Sequence, residues 1–308
     1  MLVVHGSKHV PAGARHGVFA IGNFDGVHRG HQELLALAIA KGRELAAPAG
    51  VMVFEPHPRA FFAPNEPHFR LTSLDMKLRL LEKAGLDFAF VMAFDAAFSG
   101  LSAESFISDI LASDLGVRHA IVGYDFFFGS KRRGTPDLLK EAGKNRGFGV
   151  TIVAPVAQDG EVYSSSAVRL HLALGDVTGA ASVLGRPWRI AGPVVGGAHR
   201  GAGLGFPTAN VPMPKGTALA HGIYAVRAYV GDKCLDGAAY LGTRPTFDDG
   251  MPVLEVFLFD FDGDLYGREM EVEFIGFVRD DRKFASSEAL TAQMEKDVAR
   301  AREILARR

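Results

Sequence analysis

The feature that most restricts the fold is a change of hydrophobic period near Arg186. Ahead of it, short apolar runs alternate with segments whose leucines and alanines recur at helical spacing. GVFAIGNF precedes HQELLALAIAKGRELA, GVMVFEP precedes SLDMKLRLLEKAG, FAFVMAF precedes AESFISDILASDLG, RHAIVGYDF precedes TPDLLKEAGKNRG, and VTIVAPV follows. Strands alternating with helices of this length imply a parallel sheet with helices on both faces. Ser73 and Thr135 stand where N-caps belong, the latter before Pro136. A helical stretch, SSAVRLHLALGDVTGAASVLGRP, ends this half. From Trp188 the period changes: WRIAGPVVGGA, GIYAVRAYVG, KCLDGAAYLG, VLEVFLFDF and REMEVEFIGFV follow one another with only Gly, Asp and Pro clusters between them. Strands this closely spaced, without helices, suggest an antiparallel barrel or sandwich. SSEALTAQMEKDVARAREILARR closes the chain as an amphipathic helix capped by Ser286 or Ser287. The expectation is two domains, residues 1–185 with an α/β fold and residues 186–308 with a β fold.

Composition narrows the function. Hydrophobic residues make up 48% and charged residues 22% of the 308, and the formal net charge is -1, which describes a globular chain with ample core and no basic excess for nucleic acid. The single cysteine, Cys234, rules out an intramolecular disulfide and a cysteine-based zinc site, and fits a reducing cytoplasmic setting. No apolar stretch reaches the length of a membrane span, and the N-terminal residues do not read as a signal peptide. Neither a nucleic-acid nor a membrane partner is expected.

GNFDGVHRGHQELL, residues 22–35, joins the first strand to the first helix. A helix N-terminus offers unpaired N–H groups and a partial positive charge, and so attracts phosphate. His28 lies in the turn, His31 lies in the first helical turn, and Gly30 leaves the backbone between them bare. Taken singly, each histidine reads as a surface residue or a cap. A zinc pair is disfavoured, because metalloprotease helices space their histidines four apart around a glutamate. Late in the same half, YSSSAVR opens a helix. Alone it is an N-cap with a surface arginine; beside a phosphate, its serines and Arg169 are donors. VGYDFFFGSKRRG offers three phenylalanines that read as core and a basic loop, residues 131–133, that either is solvated or closes over phosphates.

The second half carries HRGAGLGFPTANVPMP, which is neither a Walker A loop nor a Rossmann fingerprint. It reads as a flexible barrel loop. Its glycines, Gly201, Gly203 and Gly205, could equally let backbone N–H groups approach a phosphate. Thr208 and Asn210 lie two apart, so in an extended segment both point to one side and could share a magnesium ion. Glu255, in VLEVFLFDFDGDLYG, is either an ordinary strand carboxylate or the group that accepts a hydroxyl proton in phosphoryl transfer. DFDGDLYG itself reads as a hairpin turn centred on Asp262 and Gly263.

These runs, in this order, carry a resemblance. D-G-V-H-x-G-H resembles the H-x-G-H signature of the nucleotidyltransferase superfamily, and SSSAVR its S-S-T-x-x-R motif, with Ser166 in place of threonine and Ala167 where flavin enzymes often have arginine. GNFDGVHRGHQ, VGYDFFFGSKRRG and SSSAVR look like a bacterial FAD synthetase module. RGAGLGFPTANV, LGTRPTF, EVFLFDFDGDLYG and VRDDRKFASSEAL look like the riboflavin kinase family. The whole chain is therefore similar to the bifunctional riboflavin kinase/FAD synthetase family. That resemblance implies a Rossmann-like nucleotidyltransferase domain with a parallel sheet, followed by an antiparallel β-barrel with a terminal helix. It implies riboflavin, FMN, ATP and FAD as substrates and products, and Mg2+ as metal. It implies catalytic roles for His28, His31 and Glu255, and nucleotide contacts at Asn23, Gly30, Asp125, Ser165, Ser166, Arg169, Gly203, Gly205 and Pro207. Flavin contacts fall on Phe128 and Arg279, and metal ligation on Thr208 and Asn210. Phe257 departs from a histidine common in the kinase strand.

Overall fold

The structure, a computed structural model, describes residues 1–158, 160–196, 206–214, 216–243 and 252–307. The chain divides into two compact units. The first comprises Met1–His68 and Thr72–Ser164; the second comprises Phe69–Leu71 and Ser165–Arg308.

The first unit holds strands β1 (Leu2–His5), β2 (Val18–Ile21), β3 (Ala49–Glu55), β4 (Phe88–Ala93), β5 (His119–Gly123) and β6 (Gly149–Val153), with a small ribbon of β7 (Ala157–Gln158) and β8 (Glu161–Val162). Its helices are α1 (Arg29–Glu44), α2 (Pro58–Phe62), α3 (Leu74–Lys83), α4 (Ala96–Ser99), α5 (Ala103–Ser105) and α6 (Pro136–Arg146), and α5 runs on into π-helical turns over Phe106–Asp114. The six long strands form one all-parallel sheet in the order β1-β4-β3-β2-β5-β6. β2, β3 and β4 step one way across the sheet and β5 and β6 the other, so the direction reverses between β2 and β5. In a doubly wound sheet the crevice at the carboxyl ends of two such strands is where ligands bind. Both faces are covered by apolar clusters, one around Phe19, Phe88, Phe90 and Leu111, the other around Val18, Leu35, Val51 and Leu81. Ser73 caps α3 by accepting from the Met76 N–H at 3.2 Å, and Thr135 caps α6 by accepting from the Leu138 N–H at 3.1 Å, as expected from sequence.

In the second unit, α7 (Ser165–Ala173) and α8 (Val177–Leu184) precede β9 (Arg189–Pro193), β10 (Thr208–Pro212), β11 (Gly222–Val230), β12 (Lys233–Thr243), β13 (Pro252–Leu258), β14 (Glu269–Asp280) and the terminal helix α9 (Ser287–Ala306). The sheet is antiparallel throughout in the order β10-β13-β12-β11-β14-β9. An isolated bridge between Val195 and Asn210 joins its two edges, which makes it a barrel. Tyr224, Val226, Ala239, Leu254, Val256, Val272 and Phe274 are buried in its core. α9 lays Ala301 and Leu305 on Ala225, Ala238, Phe259 and Ile275, and Ser286, not Ser287, is its cap.

Two local expectations are corrected. The stretch from Ser165 to Leu184 is two helices: Gly175 takes a left-handed φ of +76°, and Asp176 caps α8 by accepting from the Gly179 N–H at 2.8 Å. The Asp262–Gly263 turn does not close a hairpin, because β12 and β11 lie between β13 and β14 in the sheet.

Candidate functional site

The histidine turn sits at the carboxyl end of β2, where the sheet reverses. Residues 22–27 are tightly bent there, with two bulky residues, Phe24 and Val27, at φ of +50° and +44°. Such conformations cost on the order of 1–3 kcal/mol each and persist only where the surroundings fix them. Here the segment that leads into α3 does so. The Gly26 N–H donates to Thr72 Oγ1 at 3.1 Å, and the Thr72 N–H and hydroxyl reach Asp25 Oδ1 at 3.2 and 3.3 Å. Gln32 Nε2 donates to the Val27 carbonyl at 2.9 Å, and Lys77 Nζ to the Asn23 carbonyl at 2.7 Å. Sequence reasoning passed over Asp25, Thr72 and Lys77.

His28 is the N-cap of α1. It is only 7% exposed, and its Nδ1 accepts from the His31 N–H at 3.3 Å. With Nδ1 accepting, the neutral ring carries its proton on Nε2 as a donor. The two imidazoles stack with centroids 3.6 Å apart, and Phe24 packs on His31 at 4.9 Å. Burial first, then the charges of His28 and Lys77, hold the His31 pKa well below its ordinary value, so the ring is neutral at physiological pH. Among the described residues, His31 Nδ1 and Asn23 Oδ1 are buried with no hydrogen-bond partner. Two such atoms in one turn mark a place built for a ligand, since buried polar atoms are otherwise paired.

Gly30 has a different immediate neighbour from the one its place in the motif suggests. A Cβ there meets the Tyr163 carbonyl oxygen at 2.9 Å and the His28 ring at 3.1 Å, so glycine lets α1 pack against the chain leaving the β7–β8 ribbon. Asp125 is exposed in the turn after β5, the strand beside β2. Phe128 is 7% exposed, packed on Phe106 and Phe126 in the core. Its ring is packed in the core, while Tyr124 and Phe127 of that loop are exposed, the latter with Arg132 over its face at 5.1 Å. Another aromatic missed from sequence, Phe62, is 68% exposed and edge-on to Phe94 at the carboxyl ends of β3 and β4. Ser165, Ser166 and Arg169 belong to the second unit, at the start of α7, where Arg169 Nε donates to the Phe69 carbonyl at 2.7 Å.

In the barrel, Asn210 stands opposite Glu255 on β13, which stands opposite Tyr240 on β12. Thr208 begins the next row, opposite Phe257 and then Ala238. These rows alternate with the buried Ala209, Val211, Leu254, Val256, Ala239 and Leu241, so Thr208, Asn210, Glu255 and Tyr240 share the outer face of three adjacent strands. Asn210 is 4% exposed. Burial, Asp281 and then Glu255 push the Tyr240 phenol up to about 12, and its hydroxyl donates to Asp281 at 3.2 Å. Phe257 packs against Phe206 and Phe259, which gives its departure from histidine a structural use. Pro207 is exposed immediately before β10; Gly201, Gly203 and Gly205 lie outside the described residues.

Arg279, expected from sequence to lie near the flavin, is tied to the terminal helix. Its Nε and Nη2 bind the Asp297 carboxylate at 2.9 and 2.7 Å, and its Nη1 donates to the Asp280 carbonyl at 2.7 Å. The guanidinium is a partly buried clamp between β14 and α9. Among the described residues, no group of three or more His, Cys, Asp or Glu could hold a metal. A hydroxyl and an amide oxygen on one strand face nevertheless suit Mg2+, which keeps several waters and takes its remaining ligands from a substrate phosphate.

The sequence pattern of the FAD synthetase family matches residues 11–167, and that of the riboflavin kinase family residues 184–305. A bifunctional riboflavin kinase/FMN adenylyltransferase of Escherichia coli (strain K12) is 42% identical over 305 residues, covering 98% of this chain and 97% of its own. The protein so named from Bacillus subtilis (strain 168) is 36% identical over 285 residues, covering 91% and 90%. A crystal structure described as a macrolide-efflux protein from Streptococcus pneumoniae superposes with a TM-score of 0.85 at 29% identity, covering 96% of this chain and 97% of that one. No helix among the described residues is long and apolar enough to cross a membrane.

Proposed function

The chain belongs to the family of bifunctional riboflavin kinases/FMN adenylyltransferases, and from that premise we propose a division of its chemistry between the histidine turn and the outer face of the barrel. It is an enzyme of flavin cofactor synthesis: it phosphorylates riboflavin to FMN and adenylylates FMN to FAD, with ATP as co-substrate in both steps and pyrophosphate released in the second.

For adenylyl transfer, the observation that carries the assignment is the pair of unpartnered buried atoms, His31 Nδ1 and Asn23 Oδ1, at the reversal of the sheet. The N-terminus of α1 and the donor face of His28 receive the triphosphate of ATP. An oxygen of the FMN phosphate attacks the α-phosphorus, the bond to the pyrophosphate oxygen breaks, and FAD and pyrophosphate leave. No covalent enzyme intermediate is required, since positioning and fixed donors lower the barrier where charge develops. The exposed ring of Phe62 offers an apolar surface on the same edge of the sheet. The phosphate contacts of Asp125, Ser165, Ser166 and Arg169 are proposed from their motifs.

For phosphoryl transfer, Glu255 accepts the proton of the terminal ribityl hydroxyl, whose oxygen attacks the γ-phosphorus, and ADP leaves. Thr208 and Asn210, on the same face, are the proposed magnesium ligands, with Pro207, Gly203 and Gly205 proposed beside the nucleotide. Mg2+, when bound, supplies neutralisation of the phosphate charge. Phe128 and Arg279 are the flavin contacts proposed from their motifs, with Arg279 held by Asp297 at the start of the segment between β14 and α9. A cytoplasmic location is proposed from the single exposed thiol, Cys234. Incubation of the full chain with riboflavin and Mg-ATP, followed by chromatography, tests the reading. FMN should appear first and FAD after it, with one ADP and one pyrophosphate per FAD; riboflavin left unchanged would overturn it.

A further inference from the structure

Lys77 is the one lysine among the buried polar residues of the described chain: it is 1% exposed, one of the largest side chains to be fully enclosed. It lies on α3 in the first unit, well away in sequence from the histidine motif, yet its Nζ donates to the Asn23 carbonyl at 2.7 Å. Asn23 is the residue whose buried Oδ1 has no protein partner, and its carbonyl opens the bend in which Phe24 and Val27 are left-handed. The lysine charge also acts on His31, where it adds to burial and to His28 in keeping the ring neutral. A buried ammonium is costly and is kept where it has fixed partners. Here it binds a backbone carbonyl, whose position no side-chain substitution in the motif can set.

We propose that Lys77 is a positioning residue of the adenylyl-transfer step: by clamping the Asn23 carbonyl it fixes the turn that presents Asn23, His28 and His31 to the triphosphate, and it supplies a permanent positive charge behind that turn. The ligand class is the polyphosphate of a nucleoside triphosphate. Two anchors from one segment set the bend, the Thr72 bonds at Asp25 and Gly26 and the Lys77 bond at Asn23; the first ends on the buried Asp25 carboxylate, and only the second brings a cation. The proposal rests on reading the histidine turn as the adenylyl-transfer site. Nothing in it involves the barrel, so the kinase step serves as an internal control.

The test uses the full chain carrying Lys77→Met, which keeps the length of the side chain and removes the ammonium, and Lys77→Arg, which keeps charge and donors. With FMN and Mg-ATP, Lys77→Met should lower kcat for FAD formation roughly tenfold to a hundredfold, on the scale of losing an oriented donor array. Riboflavin phosphorylation should stay within about twofold, an allowance for ordinary variation between surface-neutral variants. The His31 imidazole, followed by NMR, should titrate at higher pH in Lys77→Met and close to the wild type in Lys77→Arg, which should also recover part of the rate. A lysine whose charge does not reach the turn leaves the His31 titration unmoved, and one that reaches it without fixing the turn leaves kcat for FAD formation unmoved. Wild-type FAD formation in Lys77→Met, or an unmoved His31, overturns the proposal. If Lys77→Met loses the fold of the first unit, Lys77→Arg decides: a folded, active arginine variant supports the charged clamp, and an inactive one overturns it. A wild-type chain that makes no FAD refutes the adenylyl reading itself, and the His31 titration then judges Lys77 alone.

Discussion

Gly30→Ala separates two reasons for a glycine between the histidines. The added Cβ meets the Tyr163 carbonyl oxygen at 2.9 Å and two atoms of the His28 ring at 3.1 Å, whereas ordinary contact begins at 3.4 Å. The carbonyl has to retreat by about 0.5 Å and the ring by about 0.3 Å. Alanine gains about 1 kcal/mol of helix propensity over glycine, while overpacking of this kind costs about 1–3 kcal/mol. The expected net loss of stability is therefore on the order of 0–2 kcal/mol, confined to the first unit. Catalysis is the more sensitive readout. A displacement of ~1 Å costs up to ~10²-fold in an oriented site, so a shift of His28 by a third of that should lower kcat for FAD formation by up to roughly fivefold. The assay is FAD formation from FMN and Mg-ATP, with riboflavin phosphorylation measured on the same preparation and expected to be unchanged. A variant with wild-type kcat and melting, altered only in KM for ATP, would refute the packing argument and return Gly30 to the role of clearing space for phosphate. Wild-type values throughout would remove both reasons.

The remaining predictions concern charge and metal. Thr208→Ala combined with Asn210→Val should raise the Mg2+ requirement for FMN formation or abolish it; normal FMN formation at low Mg2+ would exclude these ligands. The His31 pKa is depressed, so between its folded value and 6.5 the unfolded chain binds the extra proton. Stability of the first unit should then fall as pH drops below about 6.5, and His31→Gln should flatten that fall; identical pH profiles would show that His31 is not the group responsible. Asp297→Ala leaves the partly buried Arg279 without its carboxylate, at a cost of up to about 3 kcal/mol, or a Tm fall of up to roughly 10 °C for a unit of this size. Arg279→Met added to it should recover part of that loss, and a calorimetric Tm that hardly changes in the single variant would deny the clamp.

The parallel sheet and the barrel could be read from sequence because each rests on a repeating period that tertiary packing respects. What escaped did so for local reasons. β1 is four residues at the chain start, its outer positions exposed, with no period to detect. The helix across Gly175 kept its leucines and alanines in phase on both sides of a single left-handed residue. The Asp262–Gly263 run has turn chemistry, but strand order is a property of the whole sheet, and two strands separate β13 from β14. The histidines, Asn210 and Glu255 stood out because their motifs are contiguous. Lys77, Thr72 and Asp297 did not, since each acts on a residue far away in sequence. A signal was nevertheless present. Lys77 shares a helical stripe with Leu74 and Leu81, and Asp297 one with Ala301 and Leu305, so each is a charged residue on an apolar face. Such residues mark buried partners, and the second of them is what binds the guanidinium of Arg279.

The claim that two separate sites carry the two steps is tested most directly by mixing two full-length variants, each lacking one of them. Glu255→Gln keeps its shape and loses the proton acceptor. His28→Ala loses a donor at the triphosphate, a change worth roughly 10² or more in rate. Supplied with riboflavin and Mg-ATP and followed by chromatography, Glu255→Gln alone should form neither FMN nor FAD, and His28→Ala alone should stop at FMN. The mixture should produce FAD, since FMN released by one variant is adenylylated by the other. Loss of both activities in either folded variant, with no FAD from the mixture even when FMN is added, would mean one shared site and would contradict the assignment of Glu255 to the barrel step and of His28 to the adenylyl step.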